Sequence, residues 1–113
     1  MDTVTLRRAL TIALKARDAV AVSALRSALA AIENAGAVDA SHVPPPGSGP
    51  IAGAVDGLGA AEVERRPVDV GAVVAAEVDQ RREAAREYAA LGRPDRADRL
   101  HAEADVLAAH LRS

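Results

Sequence analysis

Glu77 and Arg81 stand four residues apart on a stripe that also holds Val74, Val78 and Tyr88. A charged pair on an otherwise apolar helical face needs partners, because an unpaired charge taken out of water is costly. The order, Glu before Arg at i,i+4, is the favourable one. Arg26 falls on the inner flank of an earlier helix and is placed to bridge to Glu77. Two chemistries fit this group. One is a structural polar network between helices, drawn from Arg26, Glu77, Arg81, Asp95 and Glu103; the other is a polar groove that holds a ligand. The structural reading is the plainer of the two.

A second group is the arginine run Arg81, Arg82, Arg86, Arg93, Arg96 and Arg99. Clustered at the end of a helical hairpin, it would suit phosphate. Glu83, Glu87, Asp95 and Asp98 are interleaved with it and nearly neutralise it, which is the pattern of a solvated face. With Tyr88 as the only aromatic residue, no platform for stacking bases accompanies it. His101, Glu103 and Asp105 are a weak metal pattern, since a His/carboxylate pair without a second His or a Cys nearby seldom holds an ion. His42 lies in a Pro/Gly-rich stretch, and His110 sits where a helix C-terminus favours a partial positive charge.

Templates for catalysis fail. There is no cysteine, and Ser23, Ser27, Ser41, Ser48 and Ser113 do not stand in a nucleophile elbow. The segment GSGPIAG (residues 47–53) lacks both the GK[ST] ending and the flanking strand of a phosphate loop. No catalytic residue, metal, cofactor or small-molecule substrate is expected.

The elements that must position these residues follow from periodicity. Between Val70 and Leu91 the positions Val70, Val73, Val74, Val78, Arg81, Ala84, Ala85, Tyr88 and Leu91 recur at steps of three and four, one face of a helix. Asp69 is placed to cap its first turn, and Gly92 to supply a left-handed residue after its last. At about 1.5 Å per residue this helix is roughly 33 Å long. Pro94 suits the first turn of a new helix, and Asp95 and Asp98 suit its dipole. Ala97, Leu100, Ala104, Leu107, Ala108 and Leu111 form the facing stripe. A connection as short as Gly92-Arg93-Pro94-Asp95 makes the two helices antiparallel neighbours.

Upstream, a first helix is expected from Thr3 to Arg17 with Leu6, Leu10, Ala13 and Leu14 as its stripe. Ile12 lies off that stripe, which suggests cover on two sides. Asp18 is a cap between this helix and the next. The second helix is expected from Ala19 to Asn34, with Val22, Leu25, Arg26, Leu29 and Ile32 on one face and Gly36 ending it. Residues 37–67 read as a linker containing VPPPGSGPIAG, where three prolines favour extended geometry and the glycines loosen it. Within it, residues 40–60 are expected to be poorly ordered or to wrap the surface, and Ala60–Arg66 to form at most a short helix. The fold class is therefore all-α: two antiparallel helical hairpins, a four-helix arrangement, joined by a long Pro/Gly-rich linker. A second copy of the chain is the alternative way to bury all four stripes.

Composition sets the outer bounds. The 113 residues make one domain, 1–113, able to bury roughly two thirds of its unfolded surface. Its core must be Ala, Val, Leu and Ile. Net charge is −2, so no global basic field draws nucleic acid to the chain. The absence of cysteine excludes disulfides. No apolar run has transmembrane length, and Arg7 and Arg8 interrupt the apolar start, so neither a membrane partner nor a signal peptide is expected and a cytoplasmic location is the plain reading. Arginine outnumbers lysine thirteen to one, a bias that reads as gene composition before it reads as function.

Two blocks resemble the GatB/YqeY family, most closely its stand-alone YqeY-like members. The first is LRSALAAIENA, Leu25–Ala35. The second is AEVDQRREAAREYAALGRPDRADRLHAEADVLAAHL, Ala76–Leu111. In the second, Glu77, Arg81, Tyr88, Gly92, Arg93, Asp95, Ala97, Glu103, Leu107 and Leu111 fall on the family pattern. His110 departs from a usual Tyr, and Arg112 from a usual Pro. The small helical tail that follows this pattern in typical members does not follow Leu111 here. The resemblance implies a carbon–nitrogen ligase setting, the glutamine-dependent amidation of mischarged tRNA, in which the chemistry resides in other domains and subunits. It implies for this chain an accessory or interaction module. Its partners would be tRNA or amidotransferase subunits, met through Arg26, Arg81, Arg82, Arg93 and Arg96. A protein-interaction or self-association bundle with no RNA role is the alternative.

Overall fold

The computed structural model describes residues 1–40 and 67–112. Among them are four helices and no strand: α1 Thr3–Ala16, α2 Ala19–Ala40, α3 Val70–Ala90 and α4 Pro94–Arg112. The expected all-α pair of hairpins is what forms. The expectations for residues 40–60 and for a short helix at Ala60–Arg66 fall, apart from residue 40, outside the described residues.

Both hairpins turn by the same backbone device. At the end of α1, Arg17 takes a left-handed conformation (φ 56°), its N–H donates to the Leu14 carbonyl at 3.2 Å, and the Asp18 N–H donates to the Ala13 carbonyl at 3.0 Å. At the end of α3, Gly92 has φ 76°, its N–H donates to the Ala89 carbonyl at 3.1 Å, and the Arg93 N–H reaches the Tyr88 carbonyl at 2.8 Å. This pair of bonds satisfies carbonyls that a helix end otherwise leaves without partners. Gly92 enters the left-handed region without penalty, whereas Arg17 does so against its Cβ.

The helix starts are capped by carboxylates. Asp2 Oδ1 accepts from the Thr5 N–H at 2.8 Å, Asp18 Oδ1 from the Ala21 N–H at 3.1 Å, and Asp69 Oδ1 from the Ala72 N–H at 3.0 Å. The caps at Asp18 and Asp69 are those the sequence indicates. The backbone and side-chain hydrogen bonds from Thr5 hold the Asp2 carboxyl below its ordinary value. Helix α4 opens with Pro94 in its first turn and Arg93 before it, the Arg93 carbonyl accepting from the Ala97 N–H at 3.1 Å.

Helix α2 is the centre of the packing: α1 lies against one side, and α3 and α4, which pair with each other, lie against the rest. Leu6, Ala24, Leu25, Ala28, Val74, Ala104 and Leu107 are fully or almost fully buried in one core. Alanine at so many of these positions lets the helix axes approach closely.

Four expectations about this region are corrected. Helix α2 does not stop at Asn34 but passes through Gly36 to Ala40. Gly36 is buried, and among the described residues only Gly92 is a glycine with positive φ. A glycine ends a helix only by turning left-handed; held in a packed helix it costs about 1 kcal/mol relative to Ala. The buried stripe of α2 is Ala21, Ala24, Leu25, Ala28 and Ile32, about one position away in phase from the expected one, so Arg26 is exposed. Neighbours on two sides select the alanines, whose small side chains fit between helices. Finally, Ile12 is 68% exposed, Leu14 45% and Leu91 74%, so α1 is covered on one side only and the α3 stripe ends at Tyr88.

Candidate functional site

The polar residues of the α3/α4 hairpin form one chain of contacts across three helices. Ser27 Oγ of α2 donates to Glu77 Oε1 of α3 at 3.1 Å. Arg81 Nη1, one turn further on, donates to the same oxygen at 2.7 Å and to the Glu77 carbonyl at 3.3 Å. Arg81 Nε donates to Glu103 Oε1 of α4 at 3.2 Å, and Arg99 Nε to Glu103 Oε2 at 2.9 Å. Two guanidinium groups meet two carboxylates, so the charges cancel. Glu103, only 7% exposed, is the buried charged residue among those described. Among the described residues no buried side-chain nitrogen or oxygen lacks a hydrogen-bond partner. The arrangement locks helices together; both Glu103 oxygens are already occupied.

The Glu77–Arg81–Glu103 part of the expected polar network is therefore present, and two expected members are not in it. Arg26 projects from the exposed side of α2, and its place toward Glu77 is taken by the next residue, Ser27. Asp95 lies in the first turn of α4, its side chain 79% exposed, and approaches only Arg93 Nε at 4.0 Å. It serves the helix dipole, not the core. Sequence reasoning missed Ser27 and Arg99. Ser27 required the true phase of α2, but the Arg99–Glu103 spacing of four was visible and signalled the contact.

The arginines proposed for phosphate or partner contact are dispersed and mostly neutralised. Arg82 Nη2 pairs with Asp105 Oδ1 at 3.3 Å, and Arg86 pairs with Glu83. Arg93 is the one beside Asp95. Arg96 lies over the Tyr88 ring, 5.1 Å from its centroid, with Nη2 3.4 Å from the phenol oxygen. Spacing did not suggest this cation–π contact because it joins two helices across the turn. Arg81 is enclosed in the network and has no free face to offer a ligand.

Arg26 opens instead onto a groove of about 580 Å³ between α1 and α2, lined by Arg7, Leu10, Leu29, Ile32 and Glu33 and closed at one end by Val68. Among the described residues no group of His, Cys, Asp or Glu is arranged to hold a metal ion, and His101, Glu103 and Asp105 do not converge. No described helix is long and apolar enough to cross a membrane.

Set against family models, curated proteins and solved structures, the chain finds no match.

Proposed function

We propose that this chain is a non-catalytic accessory or interaction module of the kind the GatB/YqeY resemblance implies, associated with glutamine-dependent tRNA amidation and docking on the amidotransferase or its tRNA. The observation that carries the reading is the role of the residues on which the resemblance rests. Glu77, Arg81 and Glu103 tie α3 to α4. Gly92 makes the turn, and Ala97 and Leu107 are buried. The shared pattern thus encodes a rigid two-helix surface, which is what a docking module requires. Fold-level likeness alone does not assign chemistry.

The test is assembly. The purified chain, mixed with a glutamine-dependent tRNA amidotransferase and its mischarged tRNA, is expected to co-migrate with one of them and to release no ammonia from glutamine alone. Turnover of glutamine or aminoacyl-tRNA by the isolated chain overturns the proposal, as does failure to co-migrate with either.

The second reading, a protein-interaction or self-association bundle with no RNA role, is favoured by one observation. Arg82, Arg86 and Arg93 each have a carboxylate within 4.0 Å, which leaves the hairpin end little net field for phosphate. A tRNA affinity that falls steeply with salt, and falls further in Arg93→Ala and Arg96→Ala, rejects this reading. An affinity indifferent to both substitutions removes the hairpin end as an RNA contact.

A further inference from the structure

The two hairpins differ in charge. Residues 70–112 carry seven Lys/Arg against eight Asp/Glu, and most of those arginines are paired. Residues 3–40 carry five Lys/Arg against three Asp/Glu, of which Asp18 is engaged as a helix cap. Among the described residues no ion pair reaches Arg7 or Arg26.

These two arginines line the α1/α2 groove together with Glu33, Thr3 and the apolar Leu10, Leu29 and Ile32. Thr3, Arg7 and Leu10 line it from α1. From α2 come Leu29 and Ile32, with Val68 at the end. The apolar stripe of α1 is thus wider than α2 covers: Leu6 and Ala13 are buried, while Leu10 lines the groove. A partly apolar strip between helices, bordered by Glu33 and by two arginines that have no ion pair among the described residues, carries a net positive charge and matches the apolar face and acidic flanks of another helix. No aromatic side chain lines it, so it is poorly suited to RNA bases.

We propose that the α1/α2 groove is the docking site for an acidic amphipathic helix of a protein partner, with Leu10, Leu29 and Ile32 receiving its apolar residues and Arg7 and Arg26 its carboxylates. This rests on the reading of the chain as an interaction module and moves the partner contact from the second hairpin to the first.

The experiment is a fluorescence-anisotropy titration of the full chain against a fluorescein-labelled designed peptide of about 18 residues. The peptide carries Leu at helical i, i+3, i+4 and i+7 positions and Glu on the flanks. Saturable binding is expected, weakened roughly tenfold by Arg26→Glu and by Arg7→Glu, restored by Arg26→Lys, and absent for the same peptide with Lys in place of Glu. Both arginines are exposed, so the helical circular dichroism spectrum stays unchanged. Four results overturn the proposal: no binding by the full chain; binding indifferent to both charge reversals; self-association abolished by Arg26→Glu; or tRNA binding abolished by it. Co-migration with the amidotransferase that survives Arg26→Glu sinks the groove alone and leaves the module reading standing.

Discussion

Glu103 accepts Arg81 Nε at 3.2 Å through one oxygen and gives its other to Arg99 at 2.9 Å. With the Arg81 and Glu103 side chains only 12% and 10% exposed, this is an ion pair inside the protein. Its removal from one side is far more costly than its loss from both. Arg81→Ala leaves Glu77 and Glu103 without their shared partner, and a destabilisation of about 3 kcal/mol is expected in urea unfolding. The double variant Arg81→Met/Glu103→Met is expected to recover at least part of it. A loss under about 1 kcal/mol for Arg81→Ala means that the network is a surface feature.

Arg82 and Asp105 make the contrasting case. Their side chains are 36% and 71% exposed at 3.3 Å separation. Solvent screens such a pair, so Arg82→Ala and Asp105→Ala should each change stability by no more than about 1 kcal/mol. Unfolding in low and high salt checks this: the difference from the parent chain should shrink further as salt rises.

The two left-handed residues predict opposite signs. Gly92→Ala meets nothing within 4 Å of the new Cβ, so its cost is purely conformational, about 1 kcal/mol. Arg17→Gly relieves the same strain and is expected to stabilise by about 0.5 kcal/mol after the greater freedom of unfolded glycine is deducted. Unfolding midpoints of the two variants should move to opposite sides of the parent value.

Asp2 gives a pH dependence. Its carboxyl lies below the ordinary value of 3.8 because the Thr5 N–H bonds to the ionised form. A lowered folded value means stability that is fully present above 3.8 and lost as pH falls through the folded value. The parent chain should therefore melt higher than Asp2→Ala at neutral pH, and the gap should close only in acid below the ordinary carboxylate range. A gap that closes between neutrality and about pH 5 contradicts the cap.

The second hairpin was legible in the sequence because strong local signals agree there. Asp69, Gly92 and Pro94 each admit few conformations, and the Val and Leu spacing fixes one face. The phase of α2 was not, because its segment is apolar nearly all round. Alanines alternate with larger residues, so Val22, Leu25 and Leu29 suggest one face while packing on two sides buries Ala21, Ala24 and Ala28. That small rotation separates Arg26 from Ser27 and so alters the site. Gly36 misled for a related reason: tertiary packing overrode a local stop signal. Of the candidate site, Glu77 and Arg81 were readable from a single helix. Contacts such as Arg96 with Tyr88 join helices and leave no periodic trace.

The Ser27–Glu77–Arg81–Glu103–Arg99 chain also fixes register. The short Gly92–Arg93 turn already restricts how α3 and α4 align, and the ion pairs add a second constraint. A slip of α4 by one turn brings Arg99 opposite Arg81 in one direction, cation against cation, and Leu107 in the other, with Glu103 carried away from its partner. Electrostatics thus reinforces an alignment that the turn at Gly92 also holds.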